Sequence, residues 1–171
     1  MAATRAPRVS PATMDLFASP MRGSVEAIFL AGERGAPRAQ VDHVRAVAAT
    51  GLEGDRYFGH RRGGGKRDPE RQVTLIEAEA VDAVRATGAA FEPGDARRNV
   101  VTRGVRLNEL VGRTFRVGEA LLRGLERCDP CSRLTRLTYR GVERDLRDRG
   151  GLRAEILEGG AIRVGDVVEA E

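Results

Sequence analysis

From Gly23 onward the 21 glycines break the chain into short stretches rich in Val, Ile, Leu, Ala and Thr. Turn signals recurring about every ten residues leave little room for long helices and favour a mainly β fold, a barrel or a sandwich. The stretches read accordingly. Val25, Ala27, Phe29 and Ala31 alternate with Ser24, Glu26, Ile28 and Leu30, the period-2 pattern of a strand. Residues 41–48 fit a strand or a helix by period alone, and the Gly51 that follows suits a strand entering a loop. Residues 51–70 are glycine-rich, basic and irregular. Residues 71–76 read as a strand leading into a helix over 77–87 that Gly88 ends. Further strands are expected over 99–102, 114–117, 120–125, 152–157 and 162–168, with short helical turns over 132–139 and 142–149. The fold class is therefore mainly β (α+β), with a few short peripheral helices.

A chain of 171 residues suits one domain. Aromatics are 4% of it and Trp is absent, so the core has to come from Val, Leu, Ile and Ala, with Phe29, Phe91 and Phe115 as its large fillers. The net charge is +4, and Lys66 is the one lysine among 29 basic residues. Lys66 lies in a glycine- and charge-rich loop, so pyridoxal-phosphate catalysis within this chain is not expected. The arginines suit oxyanions and phosphates. Nucleic acid is a poor fit as partner, since Tyr57, Tyr139 and five Phe supply few stacking platforms. Two cysteines are too few for a disulfide framework and point to a reducing, cytoplasmic setting. No stretch has the apolar length of a membrane span, and residues 1–21, with Pro7, Pro11 and Pro20, read as a flexible tail.

Three segments could carry chemistry. The sharpest is Cys128-Asp-Pro-Cys131, between a predicted strand and a predicted helix whose positive end would lie beside Cys131. Its thiolates are soft ligands for molybdenum, zinc or copper. Four readings fit: a zinc site, a thioredoxin-like redox pair, two ordinary buried thiols, or a cysteine facing a cofactor. Against zinc, His43 and His60 are the only histidines and have no paired spacing; against thioredoxin, only 40 residues follow Cys131. The second segment, Gly51-Leu-Glu-Gly-Asp-Arg-Tyr-Phe-Gly59, is either a solvated loop or one that Asp55 orders so that Arg56 or the backbone meets an anion. The third is Arg97-Arg98-Asn99. It opens the span 97–116, where six arginines face one acid, Glu109. It reads as a phosphate-facing pair or as a charged strand edge.

Taken in order, these segments and their neighbours resemble one known family. Gly23-Ser-Val-Glu-Ala-Ile28, Gly51-Leu-Glu-Gly-Asp-Arg56, Arg71-Gln-Val-Thr-Leu-Ile76 with Glu79, Arg97-Arg98-Asn99, Leu110-Val-Gly112, Val117-Gly118, Cys128-Asp-Pro-Cys131, Arg149-Gly-Gly151 and Gly160-Ala-Ile-Arg-Val-Gly-Asp166 are similar to the MOSC (molybdenum cofactor sulfurase C-terminal) family. The likeness spans residues 22–170. It implies a MOSC-type β-barrel over 22–171 that binds the molybdenum cofactor, molybdenum held by molybdopterin, or carries sulfur for it.

By the same resemblance Cys131 is the metal ligand and reactive thiol, with Cys128 as an accessory. Arg97, Arg98 and Asn99 would bind the cofactor, with Arg56 and Arg71 beside them. The implied function is reduction of N-hydroxylated compounds at a cysteine-ligated molybdenum; the alternatives are a sulfur carrier or cofactor-delivery protein and a CxxC redox protein. The desulfurase domain and the N-terminal β-domain that accompany such domains elsewhere have no counterpart in the likeness. A separate sulfur- or electron-donor protein is therefore expected as partner. The sequence departs from the family at Tyr57, where histidine is frequent, and His60 is not an evident substitute.

Overall fold

The computed structural model describes residues 21–171. The tail expected over 1–21 thus lies outside the described residues but for Met21, whose carbonyl accepts the Ala170 amide at 3.1 Å. In chain order the elements are β1 (Arg22–Leu30), β2 (Ala39–Val41), β3 (His43–Val47), β4 (Gly51–Leu52), β5 (Val73–Glu77), α1 (Ala78–Arg85), β6 (Val100–Arg103), β7 (Thr114–Val117), β8 (Ala120–Arg127), α2 (Ser132–Leu137), α3 (Val142–Asp145), β9 (Leu152–Glu158), β10 (Gly160–Arg163) and β11 (Val167–Ala170). Seven of the strands close a barrel in the order β1, β6, β5, β9, β8, β7, β11, with β11 pairing back onto β1. Closure removes the exposed edges of an open sheet. The barrel pairs are antiparallel except β5 with β6, where α1 makes the crossover that a parallel pair requires. The short β2 extends the far half of β1, and β10, β3 and β4 form a small separate sheet.

The expected alternation along β1 is interrupted. A bulge between Val25 and Ala27 shifts the register against β6. Beyond it Ile28 joins Val25 in the barrel interior, while Ala27 and Phe29 face out. A bulge adds one residue to one strand, so the two faces exchange their sequence parity. Along β8 the alternation is regular: Ala120, Leu122 and Gly124 are buried and Arg123 is exposed. Phe115, Leu75, Leu122, Leu152 and Ile156 fill the interior. Each such side chain contributes about 1.5–3 kcal/mol when fully buried.

A second apolar cluster lies outside the barrel wall. Here Ala80, Val81 and Val84 of α1 meet Phe29, Ile76, Phe91, Leu134, Val142 and Leu146. Of the three expected fillers, Phe115 is therefore a barrel residue, while Phe29 and Phe91 hold the helices against the wall. Residues 41–48 are strand for most of their length, and the last helical turn covers only Val142–Asp145. The long loop after β4 is organised by Asp68, whose carboxylate is 4% exposed and lies 2.9 Å from Arg62 Nε, 3.1 Å from His60 Nδ1 and 3.2 Å from Arg71 Nε.

Candidate functional site

Thr74 on β5 and Arg153 on β9 stand opposite each other in the antiparallel register. Their neighbours Val73, Leu75, Leu152 and Ala154 fill the barrel, so Thr74 and Arg153 face out. At the level of Ile76 the outer face is covered by the helical layer; at Thr74 it lines a cleft. Also around this cleft are Arg38, Arg56, Tyr57, Glu70, Arg71, Arg97, Arg98, Asn99, Cys128, Cys131, Arg133 and Leu134. Its volume is about 150 Å³, less than that of a typical small-molecule pocket. It can enclose one end of a ligand and leave the rest above the surface.

Buried beneath one wall is a polar network centred on Asp55. Its Oδ2 accepts the Ala31 amide at 3.2 Å and Asn99 Nδ2 at 3.0 Å; its Oδ1 accepts the Tyr57 amide at 3.1 Å. The buried guanidinium of Arg38 lies 3.6 Å from Oδ2. Asp55 does order its loop, but its ion partner is Arg38, not the adjacent Arg56. Asn99 is equally occupied. Its Oδ1 accepts from the Thr74 amide (3.1 Å) and hydroxyl (3.0 Å), and its Nδ2 also donates to the Phe29 carbonyl at 3.2 Å. The side chain thus joins β1, β5 and the Asp55 loop, with its amide spent on protein groups.

Arg98 does comparable work for the cysteine segment. Its Nε donates to the Gly150 carbonyl and its Nη2 to the Cys128 carbonyl, both at 2.8 Å. Continuing from β8, the Cys128 amide donates to Gly151 O at 2.7 Å, and this ties the residue down: Cys128 is buried. Cys131 is the cap residue before α2 and is exposed. One thiol therefore belongs to the wall and the other to the mouth.

Seven arginines line the cleft against a single carboxylate, Glu70. Among the described residues, Arg56, Arg97, Arg98 and Arg133 have no carboxylate within 4.0 Å. Burial pulls Arg38 down to about 10 despite the opposing pull of Asp55, and Arg97, Arg56 and Arg98 add repulsion. Arg97 is lowered too, by burial first and then by Arg56 and Arg133; burial likewise lowers Arg98. Among the described residues, Arg38 Nε and Arg56 Nε are buried without a hydrogen-bond partner. A cluster of cations with unspent donors is the arrangement an anion relieves.

Arg97 carries a further cost, being left-handed at φ 59°. Asparagine tolerates that conformation and has no charge. Arg97→Asn is therefore expected to stabilise the ligand-free protein by about 1 kcal/mol while weakening its stabilisation by added phosphate. Urea unfolding with and without phosphate checks both; a destabilised variant would contradict the repulsion argument.

The structure brings the residues singled out in the sequence, Arg56, Arg71, Arg97, Arg98, Asn99, Cys128 and Cys131, around this one cleft. The Arg97–Asn99 segment is not a sheet edge, because β6, which it leads into, runs between β5 and β1. Sequence reasoning missed Arg38, Arg133, Arg153 and Thr74. Arg38, Arg133 and Arg153 lie outside the segments that carry the resemblance, and Thr74 lies within residues 71–76 as an ordinary strand residue; the carboxylate of Asp55 was the one available sign that a distant cation must reach it. His60 abuts the ring of Tyr57 edge-on at 5.5 Å and pairs with Asp68. Among the described residues no group of three or more His, Cys, Asp or Glu side chains is placed to hold a metal ion by itself. No described helix is long and apolar enough to cross a membrane.

Comparison with known proteins gives a consistent picture. The MOSC domain family matches residues 54–169. No curated protein matches the sequence significantly. Among solved structures, the chain is similar to the YuaD protein from Bacillus subtilis, with a TM-score of 0.71 at 19% identity over 89% of this chain and 97% of that one. It is also similar to YiiM from Escherichia coli (TM-score 0.63, 21% identity, 89% of this chain and 70% of that) and to YiiM from Geobacillus stearothermophilus (0.68, 15%, 87% and 75%). At these identities the likeness speaks for the fold. It also takes in most of the segment before residue 54, which carries β1 and Arg38.

Proposed function

Because this chain belongs to the MOSC domain family, a family associated with the molybdenum cofactor, we propose that it holds that cofactor in the arginine cleft with Cys131 as the protein thiolate. The observation that carries the reading is the division of labour between the two cysteines: the exposed Cys131 opens on a cleft in which, among the described residues, the buried Arg38 Nε and Arg56 Nε lack partners. A single thiolate with arginines suits a centre whose other ligands come from an anionic pterin. Arg38, Arg56 and Arg97 would receive its anionic end, and Arg71 and Arg133 stand at the rim. Arg98 holds the Cys128–Cys131 segment through the Cys128 and Gly150 carbonyls and so sets where Cys131 Sγ stands. Asn99 acts through Asp55 on the arginine wall.

When bound, the cofactor would supply two-electron oxygen-atom transfer at the metal, the chemistry that reduction of N-hydroxylated compounds requires. The chain's own part is to bind, orient and balance charge, with electrons or sulfur brought by a separate protein. The test is the metal and pterin content of protein made in a host that synthesises the cofactor. Wild type and Cys128→Ser should carry both, and Cys131→Ser should lose the metal. Wild type that carries persulfide on Cys131 and no molybdenum would overturn the reading in favour of a sulfur carrier.

A further inference from the structure

Tyr57 sits in the middle of the cationic wall, and its surroundings leave it one unspent hydrogen. Its amide is held by Asp55 Oδ1, and its ring is contacted by the guanidinium carbons of Arg56 at 4.3 Å and Arg71 at 4.8 Å. The edge of the His60 ring completes the enclosure. Arg56 Nη2 lies 2.8 Å from Tyr57 Oη. A guanidinium has no lone pair to offer, so Arg56 is the donor in this contact and the phenol oxygen the acceptor. The phenolic hydrogen is left over: among the described residues Tyr57 Oη donates no hydrogen bond, although Tyr57 lines the cleft. The same wall holds Arg38 Nε and Arg56 Nε, buried and also without partners. Three donors of this kind call for a ligand that only accepts.

We propose that Tyr57 is a direct ligand-binding residue, donating its phenolic hydrogen to a tetrahedral phosphate-type oxyanion held between Arg38 and Arg56. The proposal rests on the function above and deepens it by assigning the anionic end of the ligand to the wall formed by Arg38, Arg56 and Tyr57. Arg56 has a double part in it. It contributes charge, and by occupying the acceptor side of the phenol it turns the O–H toward the ligand. Arg71 and His60 keep the ring from swinging out and are positioning residues.

The test uses the full apo chain and titrates inorganic phosphate, with chloride at matched ionic strength as control, following thermal unfolding. Wild type should be stabilised by phosphate beyond the chloride control. Tyr57→Phe should weaken phosphate about tenfold, the loss expected for a hydrogen bond to a charged group.

Phenylalanine also removes the acceptor that holds Arg56, so the decisive measurement is the double-mutant cycle with Arg56→Gln. A phenol that donates directly keeps an effect of about threefold or more when Arg56 is already gone, reduced from about tenfold because the O–H has lost the donor that orients it. A Tyr57→Phe change without further effect in that background would overturn the proposal and reduce Tyr57 to a support for Arg56. A wild type that phosphate stabilises no more than chloride would overturn it as well. Phenyl phosphate in parallel separates the two sources of such an anion: binding as tight as inorganic phosphate assigns the site to the end of an organic ligand, and markedly weaker binding to a free anion. The molybdenum content of Cys131→Ser protein is read independently, so failure here and failure of the cofactor assignment can be told apart.

Discussion

Asp55→Ala should destabilise the protein by about 3–5 kcal/mol, the range found when one member of a buried ion pair is deleted. The carboxylate is 5% exposed and faces Arg38, whose side chain is equally buried. Truncation leaves that cation with no carboxylate beside it in a wall already crowded with like charge. Three N–H donors, on Ala31, Tyr57 and Asn99, lose their acceptor in the same step. Each orphaned donor costs roughly 1–3 kcal/mol where water cannot replace the partner. The midpoint of urea unfolding measures the total. A change under about 1 kcal/mol would mean that water or a rearranged Arg38 fills the gap and that the network is not the strut described here. Phosphate should rescue part of the loss, because it supplies the counter-charge from the cleft side.

Gly151→Ala should be at least as damaging, with an expected cost of about 3 kcal/mol or more and a low yield of folded protein. Two independent obstacles coincide there. The backbone stands at φ 112°, which L side chains rarely adopt, and an added Cβ would lie 2.1 Å from the Leu75 carbonyl oxygen. That oxygen is strand backbone and cannot rotate aside. Leu75 pairs with Leu152 in the ladder that forms the floor of the cleft, so the only relief is to part β5 from β9. The Gly151 carbonyl accepts the Cys128 amide, and displacement would reach the cysteine segment as well. Gly65→Ala is the control. Its φ is +73° but nothing lies within 4 Å of the added methyl, so only the conformational cost of about 1 kcal/mol should appear. Equal losses at the two sites would remove the argument from close packing.

These expectations share a feature of the cleft, which is stabilised from behind and left in electrostatic tension in front. Asp55 and Asn99 are fully engaged with protein groups, whereas among the described residues Arg38 and Arg56 each keep a buried Nε donor unspent and Arg56 and Arg97 have no carboxylate partner. On the function proposed above, affinity for an anion would be drawn from stability the empty protein forgoes.

Much of the architecture was legible in the chain itself. Glycine spacing and short alternating runs require a strand-rich fold, because turns are local and strand faces follow a two-residue period. The order of Gly-Asp-Arg, Arg-Arg-Asn and Cys-x-Pro-Cys marks the segments that line the cleft. Local patterns do not tell which face a side chain takes after a bulge, as at Ile28, nor which of two cysteines three positions apart is open to solvent. Nor do they pair Arg38 with Asp55 or bring Arg153 opposite Thr74. Those relations arise from strand register and from closure of the barrel, where residues far apart in the chain become neighbours. Residue types and their order determined what the protein could bind with. Only the tertiary structure decided which groups spend their hydrogen bonds holding the wall and which keep them for a ligand, because satisfaction of a buried polar group depends on partners that the chain reaches only when folded.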